Sequence, residues 1–205
     1  MLSPLTIQPG KRCIVAGRTG SGKTTLAHAI VKNSPGVWIV LDTKRDPFFN
    51  RFKKHLPELE MPSKIFRWWR PHQKIIVVKG SSDANANDEW IEELFLSYEN
   101  VGLWIDELYM VTPPAMQGQG LSRWLTQGRS LKDSFIGLTQ RPAWVSRFCF
   151  SEADEVIGFN LTLDDDRKRM VDMTGNAAYR KALNPHVFVR TNQTTGESRV
   201  EMLKV

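Results

Sequence analysis

The chain has 205 residues, a net charge of +6, seven tryptophans and two cysteines. That length predicts one domain with a sizeable core rather than a multidomain protein. No apolar run approaches the roughly 20 residues of a membrane span, the N-terminus lacks a signal-peptide pattern, and Cys13 and Cys149 sit in apolar stretches without metal-ligand spacing. The expectation is therefore an intracellular protein with buried, reduced thiols.

In chain order, residues 1 to 11 read as a lead-in and Cys13-Ile14-Val15-Ala16 as a short buried strand. Gly17-Arg18-Thr19-Gly20-Ser21-Gly22-Lys23-Thr24 follows, then Thr25, then a helix through Leu26-Ala27-His28-Ala29-Ile30-Val31 to about Lys32. The eight residues from Gly17 fit the phosphate-loop pattern G-x-x-x-x-G-K-[ST] in the strand–loop–helix setting it requires. Glycines let backbone N–H groups turn inward around phosphate oxygens, and the helix start adds partial positive charge. Lys23 would reach the β- and γ-phosphates of ATP, and the Thr24 hydroxyl would sit on Mg²⁺.

Val37 to Leu41 reads as a second buried strand, ending at Asp42. Asp46-Pro47 is expected to open a helix carrying Phe48, Phe49, Phe52 and Leu56. Residues 65–70 read as a short strand or an exposed loop, and Ile75 to Val78 as a strand. A helix capped by Asn87 or Asp88 carries Trp90, Ile91, Leu94, Phe95 and Tyr98. Val101 to Ile105 is the next strand, and a long loop with Pro113-Pro114 leads to a helix from about Leu121 to Leu131. Phe135 to Thr139 and Val156 to Phe159 are strands, with a helical turn from Pro142 between them. Helices are expected at about 163–173 and 176–183. A hairpin from His186 to Leu203 turns at Asn192 to Gly196. Alternating apolar strands and helices predict an α/β fold with a mostly parallel sheet covered on both faces.

Two strand ends carry further chemistry. Ile105-Asp106-Glu107 would put Asp106 on Mg²⁺ through water, with Glu107 polarising a water for attack on the γ-phosphate. Thr139-Gln140-Arg141-Pro142 would let Gln140 bind the γ-phosphate or orient that water. An arginine from a neighbouring subunit commonly meets the charge that develops in phosphoryl transfer. Arg129 is the first candidate, and Arg141, Arg123 and Arg147 are others.

Together with Asp42-Thr43-Lys44, these motifs resemble the FtsK–HerA superfamily of DNA-pumping ATPases over about residues 12 to 160. They are most similar to its small members, the genome-packaging ATPases of tailless icosahedral viruses with an internal membrane. The resemblance implies a RecA-like core of strand order 5-1-4-3-2. It also implies a ring, commonly of six, with ATP between subunits and double-stranded DNA in the channel. By position it makes Lys23 and Thr24 the Walker A pair, Asp106 and Glu107 the Walker B pair, and Gln140 the sensor. Residues 1–205 would form one ATPase domain, with C-terminal helices and a hairpin over about 161–205. It would act in host cytoplasm or virion, at a capsid vertex or portal-like partner.

Charge is segregated. From Lys44 to Lys79 there are ten Lys or Arg against three acids, and from Gly80 to Met110 eight acids and no base. Lys44, Arg45, Arg51, Lys53, Lys54 and the Arg67-Trp68-Trp69-Arg70 cluster are candidate DNA contacts, and the loop at residues 112–120 could line a pore. Alternatives are a filamentous-phage assembly ATPase, a nucleotide-switched module such as a helicase loader, and a small-molecule kinase. No Asn-Lys-x-Asp motif supports a GTPase.

Overall fold

The computed structural model describes residues 5–52, 55–68, 73–112 and 118–203, without the Trp68 side chain. The strands are β1 (Arg12–Ala16), β2 (Trp38–Asp42), β3 (His55–Glu58), β4 (Ile75–Lys79), β5 (Gly102–Ile105), β6 (Ser134–Thr139), β7 (Glu155–Gly158), β8 (Val187–Asn192) and β9 (Ser198–Met202). The helices are α1 (Lys23–Asn33), α2 (Pro62–Ile65), α3 (Ala84–Ser97), α4 (Gln119–Gln127), α5 (Arg147–Ser151) and α6 (Asp164–Thr174). All nine strands share one sheet in the order β3-β4-β2-β5-β6-β1-β7-β8-β9. β1 to β7 pair in parallel, and β8 and β9 extend the sheet antiparallel beyond β7.

The central strands β1, β2, β5 and β6 are buried throughout and, apart from Arg12, Asp42, Ser134 and Thr139 at their ends, carry no polar side chain, because both faces are covered. Successive residues point to opposite sides. Ile14 and Ala16 of β1, Ile39 and Leu41 of β2, and Leu103 and Ile105 of β5 join one core with residues of α3, α4 and α6. Cys13, Val15, Trp38, Val40 and Trp104 join the other, against α1 and Phe49. Trp38, Trp104 and Trp124 are fully buried, which accounts for much of the tryptophan content, and both cysteines are buried and free.

Several elements depart from the sequence-based expectation. The segment after Asp46 is a 3₁₀ turn, Pro47–Arg51, followed by β3, not one helix. Phe48, Phe49 and Phe52 pack on one another, and Phe49 reaches Trp104, so their spacing serves a ring cluster rather than a helical stripe. Leu56 is buried opposite Val78, and Pro57 is tolerated because β3 is an edge strand. Residues 65–68 belong to α2 and a 3₁₀ turn rather than a strand.

Helix α3 starts earlier than Asn87, capped by Asp83, whose side chain accepts from Asn85 N. Asn87 instead pins the preceding loop, bonding Ser81 N, Ser81 O and Met110 O. Asp88 caps a different helix: its carboxylate accepts from Gly120 N at 3.0 Å and Leu121 N at 2.8 Å, satisfying orphan donors of α4. The crossing is close, since a Cβ on Gly120 would lie 2.1 Å from Asp88 O. Helix α4 stops at Gln127, short of Leu131, and only a 3₁₀ turn, Ala177–Arg180, stands where a helix over 176–183 was expected.

Candidate active site

β1 ends at Ala16, flanked by Thr139 of β6 and Gly158 of β7. As it leaves the strand the backbone stays bonded to both neighbours: Gly17 N donates to Thr139 O and Arg18 N to Asn160 O, each at 3.0 Å. Gly22 caps α1 with φ +105°, a conformation that favours glycine, and a Cβ there would lie 2.8 Å from Leu203 Cδ2. Arg18, Thr19 and Gly20 are exposed at the mouth of the loop, Ser21 and Lys23 are buried, and Thr24 is half-buried. Lys23 Nζ folds back to donate to Arg18 O at 2.9 Å. Burial, then the nearby Lys44, lowers the Lys23 pKa to about 8, against the opposing pull of Glu107 and Asp106.

Asp106 and Glu107 follow β5 and are both fully buried. Asp106 is held in line by its own backbone, whose N–H donates to Leu41 O. Neither Asp106 carboxylate oxygen has a hydrogen-bond partner, and burial raises its pKa to about 7 in spite of Lys44. Glu107 is fixed at both oxygens: Oε1 accepts from Gln140 N at 3.1 Å and Oε2 from Lys44 Nζ at 3.2 Å. Lys44 Nζ also lies 3.4 Å from Asp106 Oδ2. Burial lowers the Lys44 pKa, but Asp106 and Glu107 outweigh it and raise the net value.

β6 lies between β5 and β1, so its end reaches both. Gln140 Oε1 accepts from the Thr19 hydroxyl at 2.6 Å while its backbone N–H holds Glu107. The phosphate loop, Gln140 and the Asp-Glu pair are thereby one hydrogen-bonded unit. The chain beyond Gln140 is clamped by Asp166, which is buried and accepts from Arg141 Nε at 2.9 Å and Ala143 N at 3.0 Å. Arg141 also lies 4.0 Å over the Trp144 ring.

The other arginines are elsewhere. Arg129 pairs with Asp154 at 3.0 Å, and Lys11 shares that carboxylate at 2.8 Å. Asp154 precedes β7, and its side chain accepts from Arg12 N at the start of β1. Arg129 is thus at the opposite end of the sheet from the loop of its own chain, a strand length of roughly 16 Å away. Arg123 pairs with Glu92 and Arg147 with Asp172.

Lys44, a candidate DNA contact from sequence, is instead engaged by the Asp106-Glu107 pair, because β2 lies beside β5. Asp166 was not singled out, and nothing in its acidic run Asp164-Asp165-Asp166 distinguishes it. Arg45 pairs with Glu58 at the surface. Lys53, Lys54, Trp69, Arg70 and most of the loop at 112–120 lie outside the described residues.

The Asp106 carboxylate beside the phosphate loop, with no hydrogen bond to either oxygen and only the Lys44 ammonium near Oδ2, fits a hydrated divalent cation, a hard ion that takes oxygen ligands and keeps its waters. Among the described residues no group of three or more His, Cys, Asp or Glu could hold a metal by itself.

No protein-family model matches the chain. Over 166 residues it is 31% identical to the DNA packaging ATPase P9 of Enterobacteria phage PRD1, covering 77% of this chain and 67% of that protein. Its fold is similar to that of the genome packaging NTPase B204 from Sulfolobus turreted icosahedral virus 2 in complex with ATP-gammaS. That likeness has a TM-score of 0.78 at 19% identity, over 96% of this chain and 99% of that one. VirB4 of Thermoanaerobacter pseudethanolicus matches with a TM-score of 0.67 at 8% identity, over 95% of this chain and 89% of that one. The structural likenesses establish the α/β P-loop NTPase fold.

Proposed function

Because the chain belongs to the DNA packaging ATPases of the FtsK–HerA superfamily, we propose that it is an ATP-driven motor moving double-stranded DNA into a preformed capsid. The observation that carries this reading is the hydrogen-bonded run Thr19–Gln140–Glu107–Lys44, which joins the phosphate loop to a buried, oriented carboxylate.

In this reading the N–H groups of residues 22 to 25, at the start of α1, receive the ATP phosphates, while those of Gly17 and Arg18 stay bonded to the neighbouring strand ends. Lys23 leaves the Arg18 carbonyl for the β- and γ-phosphates. Thr24 and Asp106 would hold Mg²⁺, which would supply neutralisation of the phosphate charge. Glu107 accepts a proton from the attacking water, and its two fixed oxygens set the direction of that transfer. Gln140, whose Oε1 accepts from Thr19 of the loop, donates to the γ-phosphate from its amide Nε2–H and so reports nucleotide state to Glu107 through its own backbone N–H.

Arg129 completes the site of a neighbouring subunit. Its place at the far end of the sheet supports this, since it cannot serve its own loop but lies on a surface open to another copy. A homo-oligomeric ring, commonly of six in this superfamily, then shares ATP between subunits. DNA passes through its centre at the packaging vertex, in host cytoplasm or virion. Residues 1–205 act as one unit, with β8 and β9 continuing the core sheet.

Steady-state ATP hydrolysis tests the reading. Turnover per subunit should rise with protein concentration and with added duplex DNA. Hydrolysis that is indifferent to DNA and first order in monomer would reject it.

A further inference from the structure

The end of α1, the 3₁₀ turn at Pro47–Arg51 and the residues leading into β4 enclose a groove of about 410 Å³. His28, Lys32, Arg51, Phe52 and Lys74 line it. It lies where α1 finishes and β4 begins, so it is at the opposite end of the sheet from the phosphate loop and is a separate site.

Its cations are positioned without carboxylates. Lys74 Nζ donates to Lys32 O at 2.8 Å, at the carbonyl-rich end of α1. Arg51 Nε donates to Phe48 O at 3.1 Å, and its guanidinium lies 3.8 Å over the Phe48 ring. His28 stands edge-on to Phe48 and Phe52, at 5.7 and 5.4 Å. Among the described residues none of Lys32, Arg51 and Lys74 is in an ion pair, whereas Arg123, Arg129, Arg141 and Arg147 each have an acidic partner. Burial, then Arg51 and Lys32, lowers the His28 pKa, so the ring itself senses the uncompensated charge. Two ordered cations, Lys74 held by a carbonyl and Arg51 by a carbonyl and a ring face, share the trough with the Lys32 side chain, and their positive charge is free for an external anion.

We propose that this groove binds the phosphate backbone of duplex DNA. The proposal rests on the motor reading above, and charge complementarity selects the ligand. DNA presents one negative charge per roughly 1.7 Å of its axis, so three cations side by side engage two or three neighbouring phosphates. Backbone contact carries no sequence information, which suits a motor that must grip any sequence. The turn bearing Arg51 also starts at Asp46, whose N–H donates to Asp42 Oδ1, two residues beyond Lys44. The grip and the hydrolytic carboxylates are therefore joined by one short segment.

The test is the salt dependence of binding to a short fluorescent duplex, comparing wild type with Lys32→Ala/Arg51→Ala/Lys74→Ala. The slope of log K against log salt should flatten by about 3, with affinity at low salt falling at least about tenfold. Lys32→Arg/Lys74→Arg should keep the wild-type slope, and an unchanged unfolding midpoint shows that the fold is intact. If the Arg51 change unfolds its turn, Lys32→Gln/Lys74→Gln carries the same test with a flattening of about 2. A folded variant with wild-type slope overturns the groove and leaves the motor reading standing. A wild type that binds no duplex overturns both, and binding to anionic phospholipid vesicles instead would assign the groove to a membrane surface.

Discussion

Lys44 Nζ and Glu107 Oε2 lie 3.2 Å apart inside the site, and the same ammonium is 3.4 Å from Asp106. Lys44 comes from the end of β2 and the carboxylates from the end of β5, so the pairing exists only because those strands are neighbours. Both carboxylates are fully buried, and without a cation they would be uncompensated charges in a low-dielectric setting. Lys44 thereby holds Glu107 in place until a nucleotide brings its own charges.

Lys44→Met should destabilise the nucleotide-free chain by about 3 kcal/mol in urea, the scale for breaking a buried pair. Adding Glu107→Gln should recover at least about 0.5 kcal/mol of that loss, since one of the stranded charges is gone. Strictly additive losses would show that the pair is not coupled.

Glu107→Gln alone should keep binding of an unhydrolysable ATP analogue while cutting turnover by roughly 10² to 10⁴, the range for loss of a general base. The amide oxygen can still accept from Gln140 N, so the loop should stay in register. Turnover close to wild type would move the base elsewhere.

Mixing separates an arginine acting in trans from one acting in cis. Lys23→Ala subunits should lose nucleotide binding, and Arg129→Ala subunits lack the proposed donor. Each should be inactive alone, and a mixture should regain part of the activity at sites that pair an intact loop with an intact arginine. Absence of any recovery would return the role to an arginine within the same chain.

Asp133 gives the stability a pH signature. It is fully buried at the start of β6, one oxygen accepting from Val101 N at 3.1 Å. Burial raises its pKa from 3.8 to about 6, against the backbone N–H groups of Val101 and Asn100. The folded chain therefore keeps a proton that the unfolded chain releases above pH 3.8. The stabilisation this gives is complete below that pH and is lost as pH rises through about 6. Relative to Asp133→Asn, wild type should lose roughly 2 kcal/mol between pH 4 and 7 in denaturant titrations. Parallel profiles would contradict the assignment.

What was legible in the sequence was local. The phosphate loop, the strand before it and the strand ends at Asp106-Glu107 and Thr139-Gln140 each announce themselves within a few residues. The links between them do not. Lys44 reads as one of ten basic residues until β2 is placed beside β5, and Asp166 reads as surface acid until it is found clamping Arg141. Asp88 looks like a cap for its own helix, yet it caps α4 across a glycine contact that no spacing rule contains. The aromatic run at Phe48, Phe49 and Phe52 matched a helical period for the wrong reason, because ring packing on Trp104 satisfies the same spacing.

Displacement of a third strand from a triplex-tagged duplex tests DNA translocation most directly, since a motor moving along intact duplex strips that strand without unwinding the pair beneath. Wild type with ATP should release it at a rate that scales with hydrolysis. Glu107→Gln, or wild type with an unhydrolysable analogue, should not. Hydrolysis that proceeds at full rate on the same duplex while the third strand stays bound would contradict the account.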